Sequence, residues 1–263
     1  MLPRALALIM LWLMAPAVEA ACPRIISQSP YITHTLDWLG LKDCIVGVSR
    51  YDTLDRPRTG GILDPDKDAI AVLKPDLMIT TNWIGEEAWQ AAAPAGARPL
   101  RLDGFRGMRQ VEDNLHTIAE AAGQPKAETR ARTFATTWRE KAKAVHGNSR
   151  RVLLLSACSG APYTFGPDTW LYDLFTEAGF IVVETHPRLR HLRVENPVAA
   201  LDDLIGTLKP EIVFVFERAR SDQCAAILPR TGVRIVALDG EQFLHPAPVL
   251  LQGLDALIAR FGR

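Results

Sequence analysis

One segment of the sequence occurs twice. Residues 68–79 read DAIAVLKPDLMI and residues 203–214 read DLIGTLKPEIVF, an offset of 135 residues (203 − 68). The tripeptide Leu-Asp-Gly at 102–104 recurs at 238–240, an offset of 136 residues (238 − 102). A helix that leads through Lys-Pro into a strand is also a common connection. Two matches at nearly the same offset nevertheless favour a duplicated unit. The chain is therefore expected to fold as two similar halves.

A long amphipathic segment separates the two halves. From Pro125 to His146, apolar residues recur along one face with the 3.6-residue period of an α-helix. Pro125 suits a first helical turn, and Gly147-Asn148 suits a helix end. The apolar face consists of Ala131, Phe134, Ala135, Trp138, Ala142 and Val145. A helix of this length would reach roughly 30 Å, so we expect one continuous helix between two lobes.

Apolar runs on either side of this helix alternate between strand and helix patterns. The predicted strands are 24–28, 45–49, 76–81, 98–102, 151–157, 180–184, 211–216 and 233–238. The predicted helices are 31–39, 66–73, 85–93, 108–122, 168–178, 198–208, 221–228 and 247–261. Such alternation predicts parallel sheets with right-handed crossovers. The expected fold class is α/β, with two parallel-sheet lobes at 21–124 and 148–263 joined by a single interdomain helix at 125–147.

Composition limits the classes of partner. The chain has 263 residues, 48% of them hydrophobic, and 30 basic side chains balance 30 acidic ones. This composition is typical of a folded globular protein, and it provides no overall basic field to attract nucleic acid. A small molecule or a protein is the expected partner.

The first twenty residues have the pattern of a cleaved signal peptide. Arg4 provides the positive charge, Ala5–Met14 the apolar region, and residues 18–20 a small-residue cleavage pattern. The apolar region is short for a membrane span. A lipoprotein would need an aliphatic residue three positions before Cys22, where this chain has glutamate. We therefore expect a periplasmic product without an anchor, in which cysteines can oxidise.

Four cysteines permit three pairings. Cys22 and Cys44 each stand just before a predicted strand, and neighbouring parallel strands would bring both thiols to one sheet edge. We predict a disulfide between Cys22 and Cys44. Cys158 ends a predicted strand and Cys224 opens a predicted helix, so a second bridge between these two is also possible. No CxxC spacing supports a zinc site, and no other metal site is expected.

In parallel α/β sheets, ligands bind beyond the carboxyl ends of the strands. The side chains that follow the predicted strands are aromatic, cationic or hydrogen-bonding, which suits a flat or bulky ligand with negative charge. Any one of them could equally be a solvated arginine or an aromatic residue that covers a lobe. The set favours a ligand cleft lined by Tyr51, Trp83, Tyr163, Arg190, His191, Glu241 and His245. For the two histidines, hydrogen bonding is favoured over ligation of a metal.

An enzyme is the competing class. The sequence has no GxGxxG, no GxxxxGK[ST], and no GxSxG at a strand-to-helix turn. Asp103 and Asp239 could act as paired carboxylates, but their equivalent places in the repeat favour turn or capping roles. No catalytic residue is predicted. A sensor or scaffold with the same fold is the third alternative.

Three segments carry a resemblance to a known family. They are PRIISQSP at 23–30, VGVS at 46–49 and LKPDLMI at 73–79. With the single interlobe helix, they resemble the periplasmic substrate-binding proteins of ABC importers for cobalamin and ferric chelates, over the whole mature chain. The resemblance implies two Rossmann-like lobes, little hinge bending, no catalysis and no cofactor beyond the bound ligand. It further implies a monomer that delivers a ferric siderophore, haem or cobalamin to a permease and its ATPase.

The resemblance also assigns ligand contacts by position. Tyr51 and Tyr163 match aromatic ligand contacts of the cobalamin-binding members. This chain departs from them at Ile62, which replaces a tryptophan, and at His34, which replaces an acid. The departures and the cleft arginines favour an anionic ferric siderophore or haem over cobalamin.

The docking assignment combines the repeat with the resemblance. Asp68 and Asp203 are duplicated acids that we expect near helix N-termini, where a carboxylate is electrostatically favoured. Such capping could be their whole role. The family carries one acid on each lobe that pairs with permease arginines, which implies docking roles for Asp68 and Asp203, with Glu195 as a rival on the second lobe.

Overall fold

The computed structural model describes residues 22–104, 106–156, 162–192, 196–217 and 232–262. Several predictions fall outside these ranges: the signal peptide at 1–20, the bridge between Cys158 and Cys224, the helix at 221–228, and Glu195 as a docking acid. Within the described ranges, no helix is both long and apolar enough to cross a membrane.

The N-terminal lobe is a four-stranded parallel sheet with helices, as predicted. Its strands are β1 (Ile25–Ser27), β2 (Ile45–Val48), β3 (Leu77–Thr81) and β4 (Arg98–Leu102), in the order β2-β1-β3-β4. Its helices are α1 (Pro30–Trp38), α2 (Lys67–Val72), α3 (Glu86–Gln90) and α4 (Met108–Ala122). Strands β1 and β3 are wholly buried, because helices cover both faces of a parallel sheet.

The C-terminal lobe has a mixed sheet. Its strands are β5 (Arg151–Ser156), β6 (Tyr163–Phe165), β7 (Ile181–Val182), β8 (Leu189–His191), β9 (Ile212–Glu217) and β10 (Arg234–Asp239). Its helices are α6 (Trp170–Glu177), α7 (Pro197–Leu208), α8 (Gly240–Phe243) and α9 (Leu250–Phe261). β5, β7, β9 and β10 are parallel as predicted. β6 runs antiparallel to β5 and β8, and neither β6 nor β8 was predicted, because three residues are too few to show a period.

The helix between the lobes is α5 (Pro125–Lys143), 19 continuous residues and about 29 Å long. The predicted continuous helix is confirmed, although it ends three residues before His146. His146 has a positive φ of 54°, and the N–H of Gly147 donates to the carbonyl of Ala178 instead of continuing the helix. The buried face of α5 packs against α4 of one lobe and α6 and α9 of the other. One hydrophobic core therefore runs through both lobes.

The duplication is visible in side-chain contacts as well. At the end of α2, Lys74 adopts a left-handed φ of 44°, and at the end of α7, Lys209 adopts a φ of 47°. In the first copy the guanidinium of Arg24 donates to the carbonyls of residues 73 and 74, and its backbone N–H donates to Asp76. In the second copy Arg151 donates in the same way to the carbonyls of residues 208 and 209 and to Glu211. Each copy thus closes its helix-to-strand connection with the same set of bonds.

The predicted disulfide between Cys22 and Cys44 is confirmed, with their Cα atoms 5.4 Å apart. β1 and β2 are neighbouring parallel strands with Ile25 opposite Ile45, so the residues before them meet at one edge. Cys22 is exposed, whereas Cys44 is buried at 5% exposure.

Candidate functional site

A cavity of about 600 Å³ lies between the two lobes. The N-terminal lobe contributes the residues that follow β3 and β4, which are Asn82, Trp83, Gly104 and Arg106. The C-terminal lobe contributes Tyr163, Thr169, Trp170, Arg188, Leu189, His191 and Leu244. Its N-terminal wall therefore lies at the carboxyl ends of parallel strands, the expected place for a ligand in this class of sheet.

The N-terminal wall presents an indole and a guanidinium. Trp83 is 57% exposed, which is unusual for so large an aromatic side chain. The preceding residue, Asn82, donates to Asp103 Oδ1 at 3.1 Å, and Asn114 donates to the Asp103 carbonyl at 2.6 Å. These bonds give Asp103 a loop-stabilising role, in keeping with the predicted turn function. Asp239 caps α8 by accepting the N–H of Glu241 at 3.0 Å.

The C-terminal wall is formed by the paired strands β6 and β8. Tyr163 lies opposite His191, and Phe165 lies opposite Leu189, so these four side chains share one face of the pair. The rings of Tyr163 and His191 are 5.4 Å apart between centroids. Both predicted residues, together with Leu189, border the cavity.

Arg190 projects from the opposite face of β8. Its guanidinium donates to the buried carboxylate of Glu184, with Nη2 to Oε1 at 2.8 Å and Nε to both oxygens at 3.1 Å. Arg190 was predicted to contact the ligand, but strand alternation directs it away from the cavity. Burial by itself would raise the pKa of Glu184, yet hydrogen bonds from Arg190, Thr164 and the His186 N–H outweigh burial and hold this pKa below its usual value.

Two other arginines face the cavity from opposite lobes. Arg106 follows β4, and Arg188 precedes β8. Within the described ranges, neither guanidinium has a hydrogen-bond acceptor or an acidic partner. Both also border a smaller neighbouring cavity of about 280 Å³, beside Asp168 and Asp173. Arg106 was missed by the sequence analysis, although inspecting the residues after β4 by the same rule would have found it.

Asp173 links the lobes beside this smaller cavity. Its Oδ2 accepts the N–H of Met108 at 2.8 Å, so a carboxylate of α6 caps the first turn of α4 on the other lobe. Burial raises the pKa of Asp173, and the bond from Met108 opposes that shift.

Three more predicted ligand residues lie outside the cavity lining. Tyr51 is 61% exposed at the end of β2, with the guanidinium of Arg50 5.9 Å from its ring centroid. Glu241 pairs with His245, with Nε2 and Oε2 3.3 Å apart. The His245 ring also meets His34 of α1 across the lobes, with centroids 5.6 Å apart. Burial and the neighbouring His245 lower the pKa of His34.

No metal-binding group of three or more ligands occurs among the described side chains.

The two predicted docking acids are both exposed but occupy different positions on their helices. Asp68 is the second residue of α2, in the first turn as expected, while Asp66 is the cap and accepts the N–H of Ala69 at 3.0 Å. Asp203 is the seventh residue of α7, so its predicted place near a helix N-terminus was wrong. α7 begins at Pro197, within one residue of its predicted start, with Asn196 as its cap, so the start of the repeat at Asp203 does not coincide with the start of the helix.

Comparisons with known proteins identify similar chains. No family model matches the sequence. A curated relative from Bacillus subtilis, described as an uncharacterized ABC transporter substrate-binding lipoprotein, is 21% identical over 252 residues, covering 89% of this chain and 78% of the relative. A periplasmic haem-binding protein from Pseudomonas aeruginosa has a TM-score of 0.71 at 23% identity, over 91% of this chain and 92% of that one. The vitamin B12-binding protein of Vibrio cholerae has a TM-score of 0.67 at 18% identity, over 91% and 96%.

These similarities extend over 89–91% of this chain, including both lobes and the helix between them. The chain therefore has the two-lobe, helix-bridged α/β fold of the substrate-binding proteins of ABC importers.

Proposed function

We propose that this protein is the periplasmic substrate-binding component of an ABC importer and captures a metal chelate with a flat body and negatively charged groups. The observation that carries the proposal is the lining of the interlobe cavity: aromatic rings and two guanidinium groups that have no acidic partner among the described residues, supplied by both lobes. Similar chains are described as binding haem or vitamin B12. Haem, a corrinoid and a ferric siderophore are the candidate ligands.

The shape and charge of the cavity select among ligand classes. Trp83 on one wall and Tyr163 with His191 on the other offer ring faces to a planar ligand. Arg106 and Arg188 would each bind a carboxylate in a charge-assisted, bidentate geometry. Since the two guanidinium groups come from different lobes, a ligand with two separated acidic groups would hold the lobes together. Haem and anionic ferric siderophores fit this pattern better than a corrinoid does.

Delivery requires a permease and its ATPase as partners. The exposed acids Asp68 and Asp203 occur in corresponding copies of the repeat, one on each lobe. A pseudo-symmetric protein that meets a two-fold permease needs matching groups on both lobes. We therefore assign docking to these two acids and expect the exported protein to act as a monomer.

The test is direct titration of the purified protein with haemin, cyanocobalamin and a ferric catecholate siderophore, followed by absorption spectroscopy. We expect saturable binding of at least one chelate, with a spectral change for a coloured ligand held in the cleft. Absence of binding to all three would refute the proposal.

Arginine variants then test the charge argument. Arg106→Ala and Arg188→Ala should each weaken an acidic chelate by about 1.5–3 kcal/mol, the usual value of a charge-assisted hydrogen bond. Arg109→Ala is the matched control, because Arg109 lies three residues from Arg106 on the exposed side of α4 and pairs with Asp113 at 3.8 Å. Equal affinities for all three variants would remove the arginines from the site.

A further inference from the structure

A buried carboxylate stands behind the C-terminal wall of the cleft. Glu184 follows β7 and is 2% exposed. It accepts the guanidinium of Arg190, the hydroxyl of Thr164, and the backbone N–H groups of Thr185 and His186, the last two at 2.8 Å. A buried acid with this many donors is fully satisfied, and removing its charge would leave several of those donors poorly matched.

The two faces of the β6–β8 strand pair have different roles: one bonds Glu184, and the other borders the cavity. Thr164 and Arg190 lie opposite each other and both bond Glu184. One register step away, Tyr163 and His191 lie opposite each other on the other face, where they border the cavity. Side chains alternate between the two faces of a strand. A group that holds the residues of the first face in place therefore also sets the position of the residues on the second face.

β6 is anchored in the core by the fully buried Phe165, whereas β8 pairs only with β6 among the described strands. β6 and β8 have three residues each, and β8 is at the sheet edge. β6 meets β5 at only two residue pairs. Short two-stranded ribbons are marginally stable by themselves. The bonds from Arg190 to Glu184 therefore add a second attachment for β8 in this wall.

The turn before β8 depends on the same carboxylate. Glu184 accepts the N–H groups of residues 185 and 186, and the turn then leads to Arg188, which borders the cavity. This turn lies against Gly166, where a Cβ atom would come within 1.6 Å of the His186 carbonyl oxygen. So close an approach leaves no room for a side chain at position 166 and packs the turn that leads to Arg188 directly against the backbone of that residue.

We infer that Glu184 is a positioning residue for the ligand site: it holds the Tyr163–His191 face and Arg188 in place without touching the ligand. The expected effect of Glu184 on ligand affinity rests on the proposed function. Its effect on the order of the wall is independent of any ligand.

The first measurement is ligand-free. Hydrogen exchange of the full exported chain should show faster exchange in residues 162–166 and 185–192 for Glu184→Gln, and unchanged exchange in α5. The matched control is Glu177→Gln on α6, which removes a surface pair with Lys143 at 3.7 Å and should leave the wall unchanged. Unchanged exchange in the wall of Glu184→Gln would overturn the inference. Arg190→Lys, which keeps the charge but loses bidentate bonding, should give the same pattern and serves if Glu184→Gln does not fold.

The second measurement uses haemin and cyanocobalamin as separate probes. For a probe that the wild type binds, Glu184→Gln should raise Kd by about tenfold or more, from loss of charge-assisted bonding. In a Tyr163→Ala/Arg188→Ala/His191→Ala background the same substitution should raise Kd much less, since the side chains it positions are gone. An undiminished effect in that background would indicate a general loss of structure and overturn the inference. If the wild type binds neither probe, import of these ligands is refuted while the exchange result still decides the positioning role.

Discussion

Removal of the disulfide between Cys22 and Cys44 should lower stability by a predictable amount. The bridge closes a loop with a sequence separation of 22 residues. In the chain-entropy model, a loop of this length restricts the unfolded chain by about 11 cal/mol/K, which corresponds to about 3.4 kcal/mol at 25 °C. For a chain of this size, that free energy shifts the unfolding midpoint by roughly 7–14 °C.

Cys22→Ala is the variant that isolates this effect. Cys22 is exposed, so its replacement breaks the bridge with little loss of packing. Cys44 is buried in the core of the N-terminal lobe, so Cys44→Ala should cost additional free energy of unfolding through lost contacts.

The assay is thermal and urea unfolding with and without a reducing agent. Without reductant, Cys22→Ala should unfold about 3.4 kcal/mol more easily than the wild type. With reductant, the wild type should fall to the midpoint of Cys22→Ala, because both chains then have the same unfolded-state freedom. The reasoning would be refuted if the two proteins matched before reduction, or if reductant lowered the midpoint of Cys22→Ala by a similar amount.

Three further perturbations test the cleft, the docking acids and the interlobe histidines. Trp83→Ala should weaken chelate binding by about 1–2 kcal/mol in a spectroscopic titration, through loss of an exposed ring face, and unchanged affinity would exclude the indole from the site. Asp68→Arg and Asp203→Arg should leave ligand affinity intact and abolish uptake in cells through repulsion at the permease, whereas normal uptake would contradict the docking role. His34 has its pKa lowered from 6.5 by burial and by His245. The unfolded chain therefore binds a proton near that pH that the folded chain does not, so the free energy of unfolding should fall as the pH drops below about 6.5. The variant His34→Asn should show a smaller fall, and equal pH profiles for the two proteins would count against this explanation.

The long helix and most of the strands could be predicted because their signals are local. α5 presents a buried stripe at a helical period, and its first residue is a proline. The strands β3, β4 and β9 match the predicted ranges to within one residue at each end, and α4 matches its range at both ends. The disulfide followed from two cysteines that precede neighbouring strands.

The composition of the cleft could be predicted only in part. Trp83, Tyr163 and His191 border the cavity, as expected from their places near strand ends. The sequence favours Arg190 over Arg188, because nothing in it shows that residues 189–191 form a strand whose alternation turns the middle side chain toward Glu184 and away from the cavity. β8 exists only by pairing with β6, which is distant in sequence.

The sequence by itself determined the local periods: which runs are helical, which are strands, where the chain repeats, and which cysteines stand at one sheet edge. The helix and strand periods depend on neighbours within a few residues, while the repeat and the positions of the cysteines are readable from spacing along the chain. The tertiary structure decided which side chains meet across the lobes. The pairing of Tyr163 with His191, the burial of Glu184 with Arg190, and the contact of His34 with His245 all join residues from separate elements. Their distances follow from strand register and lobe packing, which only the folded chain establishes.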